Sequence, residues 1–149
     1  MFRELLANQI LHACMFSWFL AQLLKVPIEY LITRRANWSL LLGAGGMPSS
    51  HSALVSCAAL SIGLNIGFDS ALFALAIVVG MIIAYDASGI RRQAGLHAAR
   101  INAMIDELLK GHPISENQLK EVLGHTHLQV IAGLLLGVSV ALVFWGIYP

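Results

Sequence analysis

The sequence predicts an all-α integral membrane protein: a helical bundle of about four transmembrane helices with a cytoplasmic amphipathic helical loop. Two observations carry this reading. Apolar residues make up 58% of the 149-residue chain and charged residues only 11%, against about 45–50% and roughly 25% in soluble domains. The mean hydropathy is +0.75, and four apolar runs approach the roughly 20 residues that a spanning helix needs. A soluble domain is excluded on these grounds. The net charge of +1 argues against nucleic acid as a partner. Cys14 and Cys57 both fall in apolar stretches and form no CxxC or zinc pattern, so neither a disulfide framework nor a structural metal is expected. The length suits one domain, residues 1–149.

The elements follow in order. Residues 5–24 form the first apolar run. A cleaved signal peptide fits it poorly, because Glu4 follows the early Arg3 and because Asn8, Gln9 and His12 interrupt it. Residues 25–50 are a polar connection. Residues 52–68 and 70–85 are the second and third runs, joined by a turn around Gly67 to Ser70; the third is short for a full span. Residues 86–127 form the longest connection. Within it, residues 93–110 place Leu96, Ile101, Met104, Ile105 and Leu108 near one face, the pattern of an amphipathic helix. Gly111-His112-Pro113 stops that helix. Ser115 and Gln118 read as a capping box for a short helix ending at Leu123 and Gly124. Residues 128–147 are the last run. Gly63/Gly67 and Gly133/Gly137 have the spacing that lets helix backbones approach closely, although glycine is also simply common in membrane helices.

Of the nine Lys and Arg residues, four spans put all but Arg3 on one side. Positive charge collects in the cytoplasm. Both termini are therefore expected outside, with 25–50 and 86–127 in the cytoplasm or its organellar equivalent. The second and fourth spans then begin at the same face where the first and third end. Helix N-termini present free N–H groups and partial positive charge, which suit an anion.

Three polar strings meet at that face. Gly45-Gly46-Met47-Pro48-Ser49-Ser50-His51 opens the second span. Gly46 permits close backbone approach, Pro48 suits a first helical turn, and Ser49 and Ser50 can cap the helix or bond an oxyanion. His51 is placed to donate a proton, or is an interfacial histidine beside a well-made cap. Gly124-His125-Thr126-His127-Leu128-Gln129 opens the fourth span. His125 and Gln129 share a helix face, so the amide oxygen can hold one imidazole nitrogen and leave the other free to attack phosphorus. The alternative is a polar helix start. His127 points elsewhere, which argues against a metal pair. Tyr85-Asp86-Ala87-Ser88-Gly89-Ile90-Arg91-Arg92 closes the third span. Asp86 calls for a partner, and Arg91 and Arg92 suit a phosphate, an ion pair with Asp86, or membrane anchoring. Lys25, Arg34 and Arg35 can neutralise phosphate or mark topology. His12 reads as a packed histidine, and His97 and His112 as surface residues of the long loop.

GGMPSSHSALV, YDASGIRRQAG and LGHTHLQVIAG, in this order and separated by membrane helices, resemble the divergent branch of the type 2 phosphatidic acid phosphatase superfamily, also described as acid phosphatase/vanadium-dependent haloperoxidase-related. The resemblance covers nearly the whole chain. It implies that Lys25 with Arg34 or Arg35 stands for a first basic motif and that Pro48-Ser49-Ser50-His51 stands for a second. It further implies that Ser88 with Arg91 or Arg92 begins a third motif, and that His125 and Gln129 end it after the insert 93–124. On this resemblance His125 is the nucleophile, His51 protonates the leaving alcohol, and no cofactor or metal is needed. Two departures stand out: the third motif is split, and Gln129 occupies a position where the superfamily has an acid.

These readings lead to a phosphatase-like protein acting on a phosphorylated lipid or amphiphile among membrane lipids, with a homo-oligomer left open. The rival is a non-catalytic member that binds anionic headgroups or scaffolds a membrane partner.

Overall fold

A computed structural model describes residues 2–41, 43, 45–108 and 125–148. Among these residues the secondary structure is helical, without strands. The elements are α1 (Phe2–Ala7), α2 (Gln9–Thr33), a 3₁₀ turn (Trp38–Leu41), α3 (Ser50–Ile66), α4 (Ala71–Ser88), α5 (Ile90–Leu108) and α6 (His127–Ile147). By length and composition α2, α6 and the helical run that begins with α4 can each cross a membrane, while α3 is a shorter apolar helix. The expected four apolar helices are therefore present. The expected capping box at Ser115 and the stop at Gly111 to Pro113 lie outside the described residues.

Each boundary has a local cause. Asn8 accepts from the Leu11 N–H at 3.0 Å and starts α2. The apolar run ends at Leu24, yet the helix continues more than two turns, through Lys25 and Pro27, to Thr33. The following loop folds back over the helix: Gln22 Nε2 donates to Leu41 O, and Lys25 Nζ, at the start of this extension, donates to Gly43 O. Arg34 then caps the helix with a left-handed φ of 58°, its N–H bonded to Tyr30 O. Ser49 and Ser70 cap α3 and α4 by accepting from Ser52 and Phe73 N–H groups. Pro48 is not in the first helical turn, as its sequence position suggests, but precedes the Ser49 cap. The third apolar run, expected to be short, gains Asp86, Ala87 and Ser88 and reaches 18 residues. It is α3, with 17 residues, that falls short of a full span.

The turn between α3 and α4 forms as expected, with Gly67 at a φ of 120° and Ser70 Oγ donating to Gly67 O at 2.7 Å. The two glycine pairs behave differently. Gly63 receives the ring of Phe68, which folds back from the turn, so this pair serves the turn itself. Gly133 and Gly137 make the α3–α6 seam. A Cβ on Gly133 would strike the Ser49 carbonyl and lie 2.9 Å from Ser52 Cβ, and one on Gly137 would strike Ser56 Oγ and the Ala53 carbonyl. Lipid tails are as apolar as leucine, so close packing and hydrogen bonds must hold such helices together. Ser56 Oγ donates to Leu134 O across this seam, and Ser17 Oγ donates to Ala53 O between α2 and α3. The core is correspondingly small in its side chains: Ala13, Cys14, Cys57, Val140 and Ala141.

α3 is central, packed against α2, α4 and α6, whereas α4 leans mainly on α3. Most of α4's large apolar side chains are exposed, Leu72, Leu75, Val78 and Ile82 among them, and form the surface a bilayer would cover. α5 starts three residues before its expected position. Gly95, Ala98 and Asn102 are buried, while Leu96, Ile101 and Met104 are exposed. The small face packs and the large apolar side chains point away from the core, as in an interfacial helix.

Candidate functional site

Three helix ends and one buried lysine meet at a single point. The Ser49 N–H donates to the Gln129 carbonyl at 2.9 Å, which fastens the start of α3 to the first turn of α6. The His125 N–H donates to the Ala87 carbonyl at 2.8 Å, which fastens the approach to α6 onto the last turn of α4. The expected convergence of two helix starts with the end of α4 is thus built from backbone hydrogen bonds, whereas α2 contributes Lys25 from within the helix and not its end.

His125 is buried, 3% exposed. Its Nδ1 lies 3.2 Å from Gln129 Oε1. The same Oε1 accepts from the Thr126 N–H at 3.0 Å, and Thr126 Oγ1 accepts from the Gln129 N–H, completing a capping box. This network fixes the chemistry of the pair. An oxygen that already accepts a backbone N–H is oriented as an acceptor, so Nδ1 must be its second donor. In the neutral ring, Nε2 then carries the lone pair.

Burial holds the His125 pKa below the ordinary imidazole value, and the positive charges of Lys25 and His51 act in the same direction. Hydrogen bonds to Gln129 and to the backbone of Gly46 pull the other way without reversing the shift. No carboxylate is among the described groups acting on this ring.

Lys25 is 1% exposed. Its Nζ bonds Gly43 O at 3.1 Å, and its stem lies 3.6 Å from where a Gly46 Cβ would stand. Gly45 and Gly46 have φ values of 108° and 76°, so the loop over Lys25 takes a path that side chains disfavour. His51 is exposed, in the first turn of α3, with its ring centroid 6.4 Å from that of His125. One histidine is therefore enclosed and the other exposed.

The remaining expected residues divide. Ser49 is buried, and its hydroxyl accepts from both the Ser52 N–H and Ser52 Oγ, so it serves the cap. Ser50 is buried beside it. Ser88 Oγ donates to Ala84 O within α4. Asp86 is half-buried on the last turn of α4. Arg91 and Arg92 stand in the first turn of α5; the expectation about their side chains lies outside what the structure describes. Arg34 and Arg35 are exposed. They are not brought to the cluster: along α2, Arg34 is about 14 Å beyond Lys25.

Sequence reasoning missed three contributors. Thr126 was readable, since Thr126-Gln129 has the capping-box spacing assigned above to Ser115-Gln118. The carbonyls of Gly43 and Ala87 carry no side-chain signature and were not readable.

The chain is 38% identical to the uncharacterized membrane protein YuiD of Bacillus subtilis (strain 168), over 94% of this chain and 96% of that protein. No solved structure matches it. Residues 6–140, which hold all three polar strings, match the divergent PAP2 family. This integral membrane chain belongs to the divergent PAP2 family.

Proposed function

We propose that this protein hydrolyses a phosphate monoester or pyrophosphate on a lipid or other amphiphile through a phosphohistidine at His125. The observation that carries the proposal is the state of His125: enclosed, favoured in its neutral form, and held at Nδ1 by Gln129. Neutral imidazole with its lone pair on Nε2 is the nucleophilic form.

In the first step Nε2 attacks phosphorus and the bond from phosphorus to the leaving oxygen breaks. His51 gives its proton to that oxygen. In the second step His51 takes a proton from water, the water oxygen bonds phosphorus, and the P–N bond breaks to release inorganic phosphate. Lys25, the opening N–H groups of α3 and α6, and the arginines that begin α5 balance the phosphate charge. We place this face in the cytoplasm or its organellar equivalent, with both termini outside, on the distribution of Lys and Arg.

One observation favours the non-catalytic reading. Gln129 orients His125 but cannot neutralise the positive charge that develops on the ring during attack. A protein with this defect would bind an anionic headgroup without turning it over.

The test is phosphate release from lipid monophosphates and pyrophosphates by purified protein in nanodiscs, with EDTA present. Wild type is expected to release phosphate, and His125→Ala to lose about 10³-fold or more. Folded wild type that binds these lipids and releases nothing would establish the headgroup-binding reading instead.

A further inference from the structure

The loop that carries Gly43, Gly45 and Gly46 closes over two donors at the centre of the site. Lys25 Nζ donates to Gly43 O at 3.1 Å. The His125 ring bonds the backbone of Gly46. Its Nδ1 is held by Gln129, so the nitrogen left for Gly46 is Nε2. A bond that draws an imidazole toward its charged form is one that the ring donates, so Gly46 offers its carbonyl. One loop thus sets two backbone carbonyls against an ammonium that is 1% exposed and a ring that is 3% exposed.

Attack on phosphorus needs Nε2, and in this arrangement Gly46 O stands before it. A ring donates from both nitrogens only when protonated. The neutral ring, favoured by burial, by Lys25 of α2 and by His51 of α3, turns a lone pair toward the Gly46 oxygen instead. Part of the enclosure therefore has to move. α3 and α6 are locked together by the seam at Gly133 and Gly137, and the approach to α6 is fastened to Ala87. The loop is fastened near its two ends, where Gln22 bonds Leu41 O and the Ser49 N–H bonds Gln129 O. Between them, Gly45 and Gly46 have φ values of 108° and 76°, which glycine leaves as readily as it adopts.

We propose that this loop is a strap that holds the site shut, its Gly43 and Gly46 carbonyls standing in for two oxygens of a phosphate, and that an arriving anion displaces it by a hinge at Gly45 and Gly46. An anionic oxygen offers Lys25 a full opposite charge where a carbonyl offers a partial one, so the exchange favours the ligand. The proposal rests on the reading of Lys25 and His125 as the phosphate site and adds how access to that site is controlled.

The test uses inorganic phosphate as the probe and purified protein in phosphatidylcholine nanodiscs. Gly46→Ala puts a side chain at a φ of 76°, where L-residues are strained. Its Cβ would lie 3.5 Å from Leu40 Cδ2 and 3.6 Å from the Lys25 stem, ordinary contact distances, so the strain falls on the backbone of the closed strap. Calorimetry should show phosphate binding Gly46→Ala about fivefold more tightly than wild type. A fixed wall of the site would bind more weakly when strained. In wild type isotope-labelled at lysine Nζ and at the glycine carbonyl carbons, solid-state NMR should show the Lys25–Gly43 contact without phosphate and lose it at saturation.

Equal or weaker binding by folded Gly46→Ala would overturn the proposal. So would a Lys25–Gly43 contact that persists with phosphate bound, a result that decides the matter alone if the variant does not fold. Phosphate that binds neither protein would overturn the strap and the phosphate site together. A strap that opens to phosphate in a protein that hydrolyses no lipid phosphate would stand while the catalytic reading fell. Hydrolysis with the Lys25–Gly43 contact intact under phosphate would do the reverse.

Discussion

Gln129 stands where a carboxylate would draw His125 toward its charged form, and Lys25 and His51 push the ring the same way as burial, toward neutrality. Protonation of His125 should therefore set the acid limb of kcat/KM at a pH below the ordinary histidine value of about 6.5. The rate falls as pH drops through that lowered pKa, because the protonated ring has no lone pair to offer. Gln129→Glu keeps the capping box, since a Thr cap works with Glu at this spacing. It should raise the phosphatase rate and move the acid limb upward, because a carboxylate stabilises the ring cation. An unchanged or lower rate with an intact fold would show that this position does not orient His125. Lys25→Met keeps much of the stem beneath Gly46 and removes the cation. Titration of the His125 ring by NMR should then give a higher pKa than in wild type, and a lower one would contradict the electrostatic account. His51 and His125 were both legible in the sequence as polar residues at the start of an apolar run. Their different exposure was not, because it depends on which neighbouring element covers each ring.

Among the elements, run length alone revealed the four apolar helices, because a bilayer demands long uninterrupted apolar stretches. It failed at the end of α2, where Lys25 looked like the edge of a span. A buried ammonium is tolerated there because the Gly43 carbonyl receives it, and hydropathy cannot register a backbone partner. The glycine spacing was legible as a possibility of contact, but it took the structure to show that only Gly133 and Gly137 form a helix seam. Gly137→Val should destabilise the protein strongly, since the added atoms meet the Ala53 carbonyl and the Cys57 nitrogen of the α3 backbone. Overpacking of this kind costs about 1–3 kcal/mol and sometimes more. Gly146→Ala is the control, with nothing within 4 Å of the added atom. Thermal unfolding in detergent should show a clear loss for the first and little change for the second.

At the scale of the molecule, alternation of span direction was enough to predict that the three polar strings converge, although they are scattered over some 80 residues of sequence, from Gly45 to Gln129. The same alternation predicts sidedness. Cysteines introduced at the exposed positions Asn37 and His127 should be labelled from the cytoplasmic side alone, and one at Asp69 from the opposite side alone. The native Cys14 and Cys57 are buried and should contribute little background. Labelling of Asn37→Cys and His127→Cys from different sides would break the four-span arrangement.

The hook from the Ser49 N–H to the Gln129 carbonyl also has a consequence for biosynthesis. Synthesis runs from the N-terminus, so α2, α3 and α4 emerge and can insert before His125 and α6 exist. Until α6 inserts and docks, Lys25 and His51 do not have His125 beside them. On the proposed mechanism, a nascent chain stalled ahead of α6 would therefore hold a membrane-embedded but chemically silent fragment.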